Sequence, residues 1–358
     1  MKNLRVPGSS TVYTSNAGTM VLNNLLLADE PEPVNIRISG HQITGSGHMI
    51  MPGAEGSLQL TFEQAMVFPG LINSHDHLDF NLFPQFGTQI YNNYTEWGKY
   101  IHEHYKKEIA SVLLVPVRLR EEWGVLKNLI CGVTTVVNHG ENVKIKDPLI
   151  NIYERYHCLH SVKLEKKWKT RLNHPLKLKR PVVIHTGEGT DAAAHEEIDR
   201  LIRWNLLRKT LIGVHGVAMS AAQAGKFKAI VWCPESNYFL LDKTAAVDEL
   251  KAHTSILFGT DSTLTGSWNI WEHIRLARKA KRLTDTELYH TLNLNPSAVW
   301  KLRNRAVKPG NDADLVIARV KDQQAGMEAF YAIGPKDILM VIHRGSIRLF
   351  DETLLAQL

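Results

Sequence analysis

The sequence predicts an α/β protein with a (β/α)8 barrel in the middle of the chain and a small β domain assembled from its two ends. Three observations carry that reading. From residue 69 to 305, apolar strand-like runs alternate with longer segments of 3.6-residue periodicity, the rhythm of βα units around a buried parallel sheet. The flanks, 1–68 and 306–358, are instead β-textured, with short runs broken by Gly, Asn and Pro. A chain of 358 residues also has room for one domain of ~200–250 residues and a smaller one.

Taken in order, the N-terminal flank offers TMVLNNLLL and PVNIRISG and no convincing helix. The barrel strands are expected at MVFPGLIN (66–73), TTVVNHG (134–140), PVVIHTG (181–187), LIGVHG (211–216), AIVWCP (229–234) and SILFGTD (255–261). Helices are expected at EWGKYIHEHYKKEI (96–109), EEWGVLKNLI (121–130), HEEIDRLIRWNLL (195–207) and NIWEHIRLARKAKR (269–282). A closed barrel needs eight strands. Between TTVVNHG and PVVIHTG only CLHSVKL (158–164) is persuasive, so one strand has no visible place. The β texture returns in DADLVIARV and DILMVIHRGSIRLF, and both ends read as halves of one sheet domain.

Composition narrows the function classes. Apolar residues at 44% and charged residues at 22% are ordinary for a globular protein. Cys131, Cys158 and Cys233 are widely spaced with no CxxC pair, against both a disulfide framework and a thiolate zinc site, and a reducing cytoplasm fits best. The N-terminus lacks an apolar leader, and no run approaches the ~18 residues of a membrane span. Much of the +6 net charge sits in residues 163–180, where eight of eighteen are Lys or Arg. That run has a single aromatic, Trp168, and reads as a solvated face rather than a nucleic-acid platform.

The chemistry is expected at strand ends. In GLINSHDHL, the alternation of a strand points His75 and His77 the same way and Asp76 the opposite way. Two imidazoles held side by side at the C-terminal mouth of a barrel strand are half of a zinc or iron ligand set. His185 ends PVVI, His215 ends LIGV and Asp261 ends SILFGT. Each taken alone has a structural reading, as a hydrogen-bonded core histidine or a carboxylate cap. Together, four strand ends in chain order deliver groups that bind metal or move protons.

PGLINSHDHL, then HTGE, VHG and GTDS, with the tail PGNDADLVIA, resemble the amidohydrolase superfamily, closest its deaminase and chlorohydrolase branch of cytosine, guanine and adenosyl-homocysteine deaminases. The resemblance spans nearly the whole chain. It implies a distorted TIM (β/α)8 barrel, residues 69–305, with a small β-sandwich domain built from both termini, 1–68 and 306–358. It implies one divalent metal ion, zinc foremost with iron or manganese also suited to the ligands, held by His75, His77, His185 and Asp261. His215 matches the histidine that steers hydroxide, and Asp261 the carboxylate that takes a proton from water. Glu188, three residues after His185, matches the glutamate that shuttles a proton to a ring nitrogen, a task for a carboxyl whose pKa burial has raised.

The implied reaction is hydrolytic deamination of an amino-substituted nitrogen heterocycle of purine, pyrimidine, pterin or triazine type, metal-bound hydroxide attacking the amino-bearing carbon with release of ammonia. The rival keeps the site and cleaves a cyclic amide, an N-acyl group or a chloro substituent. His139, Trp97 and Asn237 stand where a substrate could be touched, while Asp312 and Asp314 in the tail read as turn residues. A second metal would need a bridging ligand such as Lys163, whereas the HxxE spacing favours one metal. The segment 141–180 is short for the family and leaves the pocket wall undefined. The expected partner is a small molecule, with no membrane and no nucleic acid, and homo-oligomers are common among such proteins.

Overall fold

Eight parallel strands of a computed structural model surround the centre of the molecule: β1 Leu71–Asp76, β2 Val133–Asn138, β3 Asn151–Tyr153, β4 His157–Ser161, β5 Val182–Thr186, β6 Leu211–His215, β7 Ala229–Trp232 and β8 Ser255–Phe258. The structure describes residues 4–5, 10–12, 19–28, 32–48, 57–303, 306–321 and 325–358. The ladders form two arcs, β3-β2-β1 and β4-β5-β6-β7-β8. They meet where Asp76 bridges Asp261 in parallel, just beyond the end of β8. The interior is apolar, with Ile72, Val137, Val183, Val214, Val231 and Leu257 in one buried cluster.

The other seam, between β3 and β4, is where the expected regularity gives way and the barrel is distorted. β3 is three residues long and half-buried, paired only to β2, with Asn151 opposite Thr135. It is the strand missing from the sequence pattern, because three residues are too few to display a period of two. The link from β3 to β4 is residues 154–156, too short for a crossover helix. No ladder joins the two strands among the described residues. Side chains close the gap instead: the rings of Tyr153 and Tyr156 stack with centroids 6.4 Å apart, and Trp300 lies 5.2 Å and 6.2 Å from them.

Two sequence expectations are corrected. The run 66–73 is two strands, not one. Ala65–Pro69 pairs antiparallel with Leu315–Arg319 in a six-stranded sheet, and Leu71–Asp76 enters the barrel. The switch falls at Gly70, where a Cβ would lie 2.2 Å from Thr134 Oγ1, so the chain can pass close to β2 only without a side chain. The helix over 96–109 is also two: α1, Tyr94–His104, and α2, Lys106–Leu113, broken at Tyr105. With α3, Val117–Ile130, they fill the long connection from β1 to β2. The helices α4 (Trp168–Leu172), α5 (Ala192–Trp204), α6 (Ala221–Ala224) and α7 (Pro234–Leu241) follow β4, β5, β6 and β7.

The smaller unit is two sheets face to face. The six-stranded sheet takes its strands from both ends of the chain, and a four-stranded sheet is built from Thr19–Leu25, Val34–Ser39, Gln42–Gly47 and Leu58–Thr61. Leu22, Ile36 and Ile38 from one sheet share a buried cluster with Leu315, Ile317 and Ile342 from the other. In the basic run 163–180, Trp168 is buried, Lys169 Nζ sits 3.8 Å above the Trp204 ring, and Arg171 pairs with Glu165. Trp168 and Leu172 anchor that run to the barrel, while most of its Lys and Arg side chains stay exposed, the solvated face expected from the sequence.

α3 packs on the turn that follows β1 through Gly124, where a Cβ would stand 2.3 Å from the carbonyl oxygen of Leu78 and 2.8 Å from its Cα. Backbone on one side and helix on the other leave no side chain to yield. Gly124→Ala is expected to destabilise the protein by about 1–3 kcal/mol through overpacking, read as a lower midpoint in urea unfolding. An unchanged midpoint would mean that α3 slides freely over residue 78.

Candidate metal centre

Backbone geometry brings four side chains to one point above the barrel. His75 lies in β1, His77 directly follows it, His185 is the penultimate residue of β5, and Asp261 lies three residues past β8. Their ligand atoms lie within 4.8 Å of one another, and all four residues are buried. His75 Nε2 is 3.1 Å from His185 Nε2, and His77 Nε2 is 3.3 Å from it. Both His75 Nε2 and His77 Nε2 are 3.4 Å from Asp261 Oδ1.

Those spacings test whether a metal fits. With bonds of ~2.0–2.1 Å, ligands around tetrahedral zinc lie about 3.3–3.4 Å apart; three of the six donor pairs match that edge, and the His75–His185 pair at 3.1 Å is slightly shorter. Imidazolium charge does not account for the clustering. Burial, then the neighbouring imidazole of His75, pushes His77 down to about 3, and burial followed by His139 and His75 holds His185 well below the ordinary histidine range. His185 Nδ1 lies 2.9 Å from the carbonyl oxygen of His160, so Nδ1–H donates there and the Nε2 lone pair turns inward. With His185 Nε2 fixed as an acceptor, His75 Nε2 and His77 Nε2 close on it at 3.1 and 3.3 Å and on Asp261 Oδ1 at 3.4 Å, a convergence that one divalent cation would satisfy at once. The residues present fit a divalent metal.

A second group overlaps the first: Glu188, His215 and Asp261, also buried and within 4.8 Å. Asn237 Nδ2 donates to His215 Nδ1 at 2.9 Å, while Asn237 Oδ1 accepts from Thr244 Oγ1 at 3.4 Å. The imidazole proton is thereby assigned to His215 Nε2, which is 3.5 Å from Glu188 Oε2 and has no hydrogen-bond partner. Burial lowers His215 to about 4. Burial, then the charge of Asp261, raises Glu188 well above the usual carboxylate range. Burial would raise Asp261 too, but the hydrogen bond from His75 and the surrounding histidines hold it well below that range. Two carboxyls a few ångströms apart thus divide into an acid and a base.

His215 (φ 72°) and Asp261 (φ 64°) both occupy the left-handed region, unfavourable for residues with a Cβ. The strain is held by neighbours: Thr260 N and Asp261 N both donate to His75 O at 3.0 Å, and His77 N donates to Asp261 O at 2.9 Å. On the far side, Asp261 Oδ2 accepts from Ser236 Oγ at 2.7 Å and Thr265 Oγ1 at 3.1 Å.

Several of these partners lie beyond the sequence reading. Ser236 and Thr265 carry no motif. Asp76 turns away from the imidazoles, as alternation requires, into a buried network: it accepts from Asn73, Asn81 and Asn128 at 3.1, 2.7 and 2.7 Å and pairs with Lys127 Nζ at 3.2 Å. Of the proposed substrate contacts, Trp97 lines the cavity above the donors. Asn237 does not: it is fully buried behind His215, whose ring it orients. His139 is buried with its ring 4.3 Å from His185, 5.0 Å from His75 and 5.3 Å from His77, and neither ring nitrogen has a partner. Lys163 is exposed beyond β4 and is not among the grouped ligands. Asp314 accepts from His343 Nδ1 and Arg344 N in the sandwich, and Asp312 bridges Gln42. No helix among the described residues is long and apolar enough to cross a membrane.

Residues 176–348 match the family model described as amidohydrolase family, a span that contains HTGE and GTDS but not the HxH of His75 and His77, and that bears out the resemblance. No curated relative matches the chain in sequence. In structure it is similar to an adenosine deaminase from Xanthomonas campestris with bound zinc (17% identity, 94% of this chain and 95% of that one, TM-score 0.72). It is also similar to an atrazine chlorohydrolase from Arthrobacter aurescens TC1 with zinc (15%, 92% and 94%, TM-score 0.72) and to an aminofutalosine deaminase from Helicobacter pylori (14%, 92% and 99%, TM-score 0.65). The expected barrel with a terminal sandwich is the fold they share.

The buried imidazoles make the metal-free protein acid-labile. His77, His139, His185 and His215 have lowered pKa values in the folded chain and ordinary ones near ~6.5 when unfolded. Between pH ~6.5 and about 3 to 4, the unfolded chain binds protons that the folded chain refuses. Glu188 and Glu197, both raised by burial, act in the opposite sense above pH ~4.5. With His157, His160 and His273 also lowered and Asp79, Glu121 and Asp312 also raised, seven histidines stand against five carboxyls, so stability falls as pH drops below ~6.5, and more steeply below ~4.5. Urea midpoints in excess chelator at pH 7, 6, 5 and 4 should decline in that order; a flat or rising series would contradict the buried, neutral histidines.

Proposed function

We propose, from the amidohydrolase match and the donor set, that this protein is a metal-dependent hydrolase that removes ammonia from an amino-substituted nitrogen heterocycle. The observation that carries the reading is Glu188: a buried carboxyl with a raised pKa, three residues after a donor histidine and 3.5 Å from His215 Nε2. Hydrolysis at an amidine-like carbon requires the adjacent ring nitrogen to gain a proton as the carbon becomes tetrahedral, and a neutral carboxylic acid supplies one. Deaminases among the structural neighbours agree with this choice of bond.

A divalent cation at the four donors would supply Lewis acidity and lower the pKa of water from ~15.7 toward ~7. The chain's own groups do the rest. Asp261 presents Oδ1 to the donor cluster, while Ser236 and Thr265 hold Oδ2, so its carboxylate is aimed to take the proton of water. Glu188 gives its proton to the ring nitrogen and takes back the hydroxyl proton as the carbonyl forms, while Asp261 passes the proton it took from water to the departing amine, which leaves as ammonia. His215 keeps its Nε2–H toward the reacting centre through Asn237 and donates to developing negative charge. Burial of all three excludes the bulk water that would level their pKa values.

Metal analysis of the purified protein combined with a screen for ammonia release over amino-purines, amino-pyrimidines, pterins and amino-triazines tests the reading. Glu188→Gln is expected to retain the metal and lose at least ~100-fold in kcat, and exhaustive chelation to abolish turnover reversibly. Wild-type turnover by Glu188→Gln, or activity that survives chelation, would overturn it. Release of chloride or of a carboxylate without ammonia would point to the rival bond at the same site.

A further inference from the structure

The cavity above the donors, about 380 Å³, is chemically two-sided. Its floor carries the polar groups already described. Its walls are mostly hydrocarbon: Phe80, Phe83, Trp97, Ile101, Leu113 and Leu164 face the space, with His102, His160 and Ser262 among the polar side chains beside them. No Lys or Arg is on the lining among the described residues, and its carboxylates are Glu188 and Asp261 alone.

Three of the polar groups carried by the walls are already engaged. Trp97 Nε1 donates to Phe86 O at 2.7 Å, Tyr94 OH donates to Ser161 Oγ at 2.9 Å, and Thr265 Oγ1 donates to Asp261. Sugar hydroxyls, a carboxylate or a phosphate laid against Phe80, Phe83, Trp97, Ile101 and Leu113 would lose water and gain no partner from them, an expensive exchange. An alkyl or aryl group would lose only the cost of its own hydration.

The wall is also held in register with the floor. Asn93 caps α1 by accepting from Thr95 N and Glu96 N, and its Nδ2 donates to Asp191 Oδ2 at 2.6 Å. Tyr94 N donates to Glu188 O, and Thr190 N to Asn92 O. The start of α1 is thereby tied to the loop that carries Glu188. On the other side Phe86 N donates to Leu264 O, and Thr263 Oγ1 to Phe83 O, in the loop that follows Asp261. At the mouth, Leu113 and Leu164 are 52% and 56% exposed, large apolar side chains left in water beside the opening.

We propose that the substrate is a neutral amino-heterocycle bearing an apolar alkyl or aryl substituent, with the ring on the donors and Glu188 and the substituent between α1, α2 and Leu164. The identity of the ring rests on the reading above; the apolar substituent does not. The probes are adenines and amino-triazines carrying methyl, butyl or benzyl, with ribosyl and carboxymethyl analogues of the same rings. Zinc-loaded protein is assayed for kcat/KM where ammonia appears, and by calorimetry for Kd where it does not.

Preference should rise about fourfold for each methylene buried, and the ribosyl and carboxymethyl compounds should fall below methyl. Leu113→Asp combined with Leu164→Asp, at positions exposed enough to keep the fold, should shrink the butyl-over-methyl ratio at least tenfold. A ranking led by the ribosyl or carboxymethyl analogues, or one unmoved by the two aspartates, overturns the proposal. The two readings fail separately: apolar-ranked binding with no ammonia from any ring sinks the deamination and keeps the pocket, and ammonia release with a polar ranking does the reverse.

Discussion

Everything at the mouth of the barrel depends on the closure of β1 against the residues beyond β8. Thr260 N and Asp261 N both reach the carbonyl of His75, and the amide of His77 returns to the carbonyl of Asp261. Asn73 adds a side-chain clasp, donating to Thr260 Oγ1 at 2.7 Å and accepting from Thr260 N at 3.1 Å. Three of the four donors are thus positioned by main chain, with little torsional freedom left to the side chains. The left-handed backbone at Asp261 is a consequence: the turn that accommodates these bonds has no ordinary conformation open to it. The buried Asp76–Lys127 pair works on the same strand from behind. An ion pair so deep gives a modest return in stability once desolvation is counted, but with three amides on one carboxylate it holds β1 in a single register against α3.

The electrostatics follow from that closure. Packing several imidazoles into a space that water does not reach keeps them neutral, since each disfavours the charge of the next and burial disfavours all of them. Neutral imidazoles are the form that ligates metal. The single charge tolerated among the donors is Asp261, and burial, then that charge, raises Glu188 well above the usual carboxylate range. One geometric fact therefore yields both the ligand set and the separation of acid from base.

The legible part of this centre was the part written in period two. His75, His77, His185, His215 and Asp261 each end an apolar run or stand just past it, and strand alternation alone says which way they face. β3 was invisible because Asn151–Tyr153 is shorter than the pattern that would reveal it, and because aromatic side chains rather than hydrogen bonds seal its outer edge. Ser236, Thr265 and Lys127 were out of reach for another reason. Their roles depend on partners 25, 4 and 51 positions away whose proximity is tertiary, and nothing in a local run distinguishes a buried lysine from a solvated one. Asn237 stood in the right loop, but only the fold turns its amide onto His215 rather than into the cavity.

The division between floor and wall has its own logic. The floor is drawn from the ends of β1, β5 and β6 and from just beyond β8, positions constrained by the ladders that make the barrel, so altering one disturbs the others. The wall comes mostly from the connection between β1 and β2, residues 77–132, where helix packing asks only for apolar surface of suitable shape. α2 has no fully buried residue and meets the rest of the protein through partly covered Ile109 and Val112. Its side chains can therefore change at small cost to stability. Because α1 is pinned at Asn93 to the loop of Glu188, such changes would reshape the space between α1 and α2 while leaving Glu188 where it is. A barrel arranged in this way can keep one chemistry and exchange its choice of substrate.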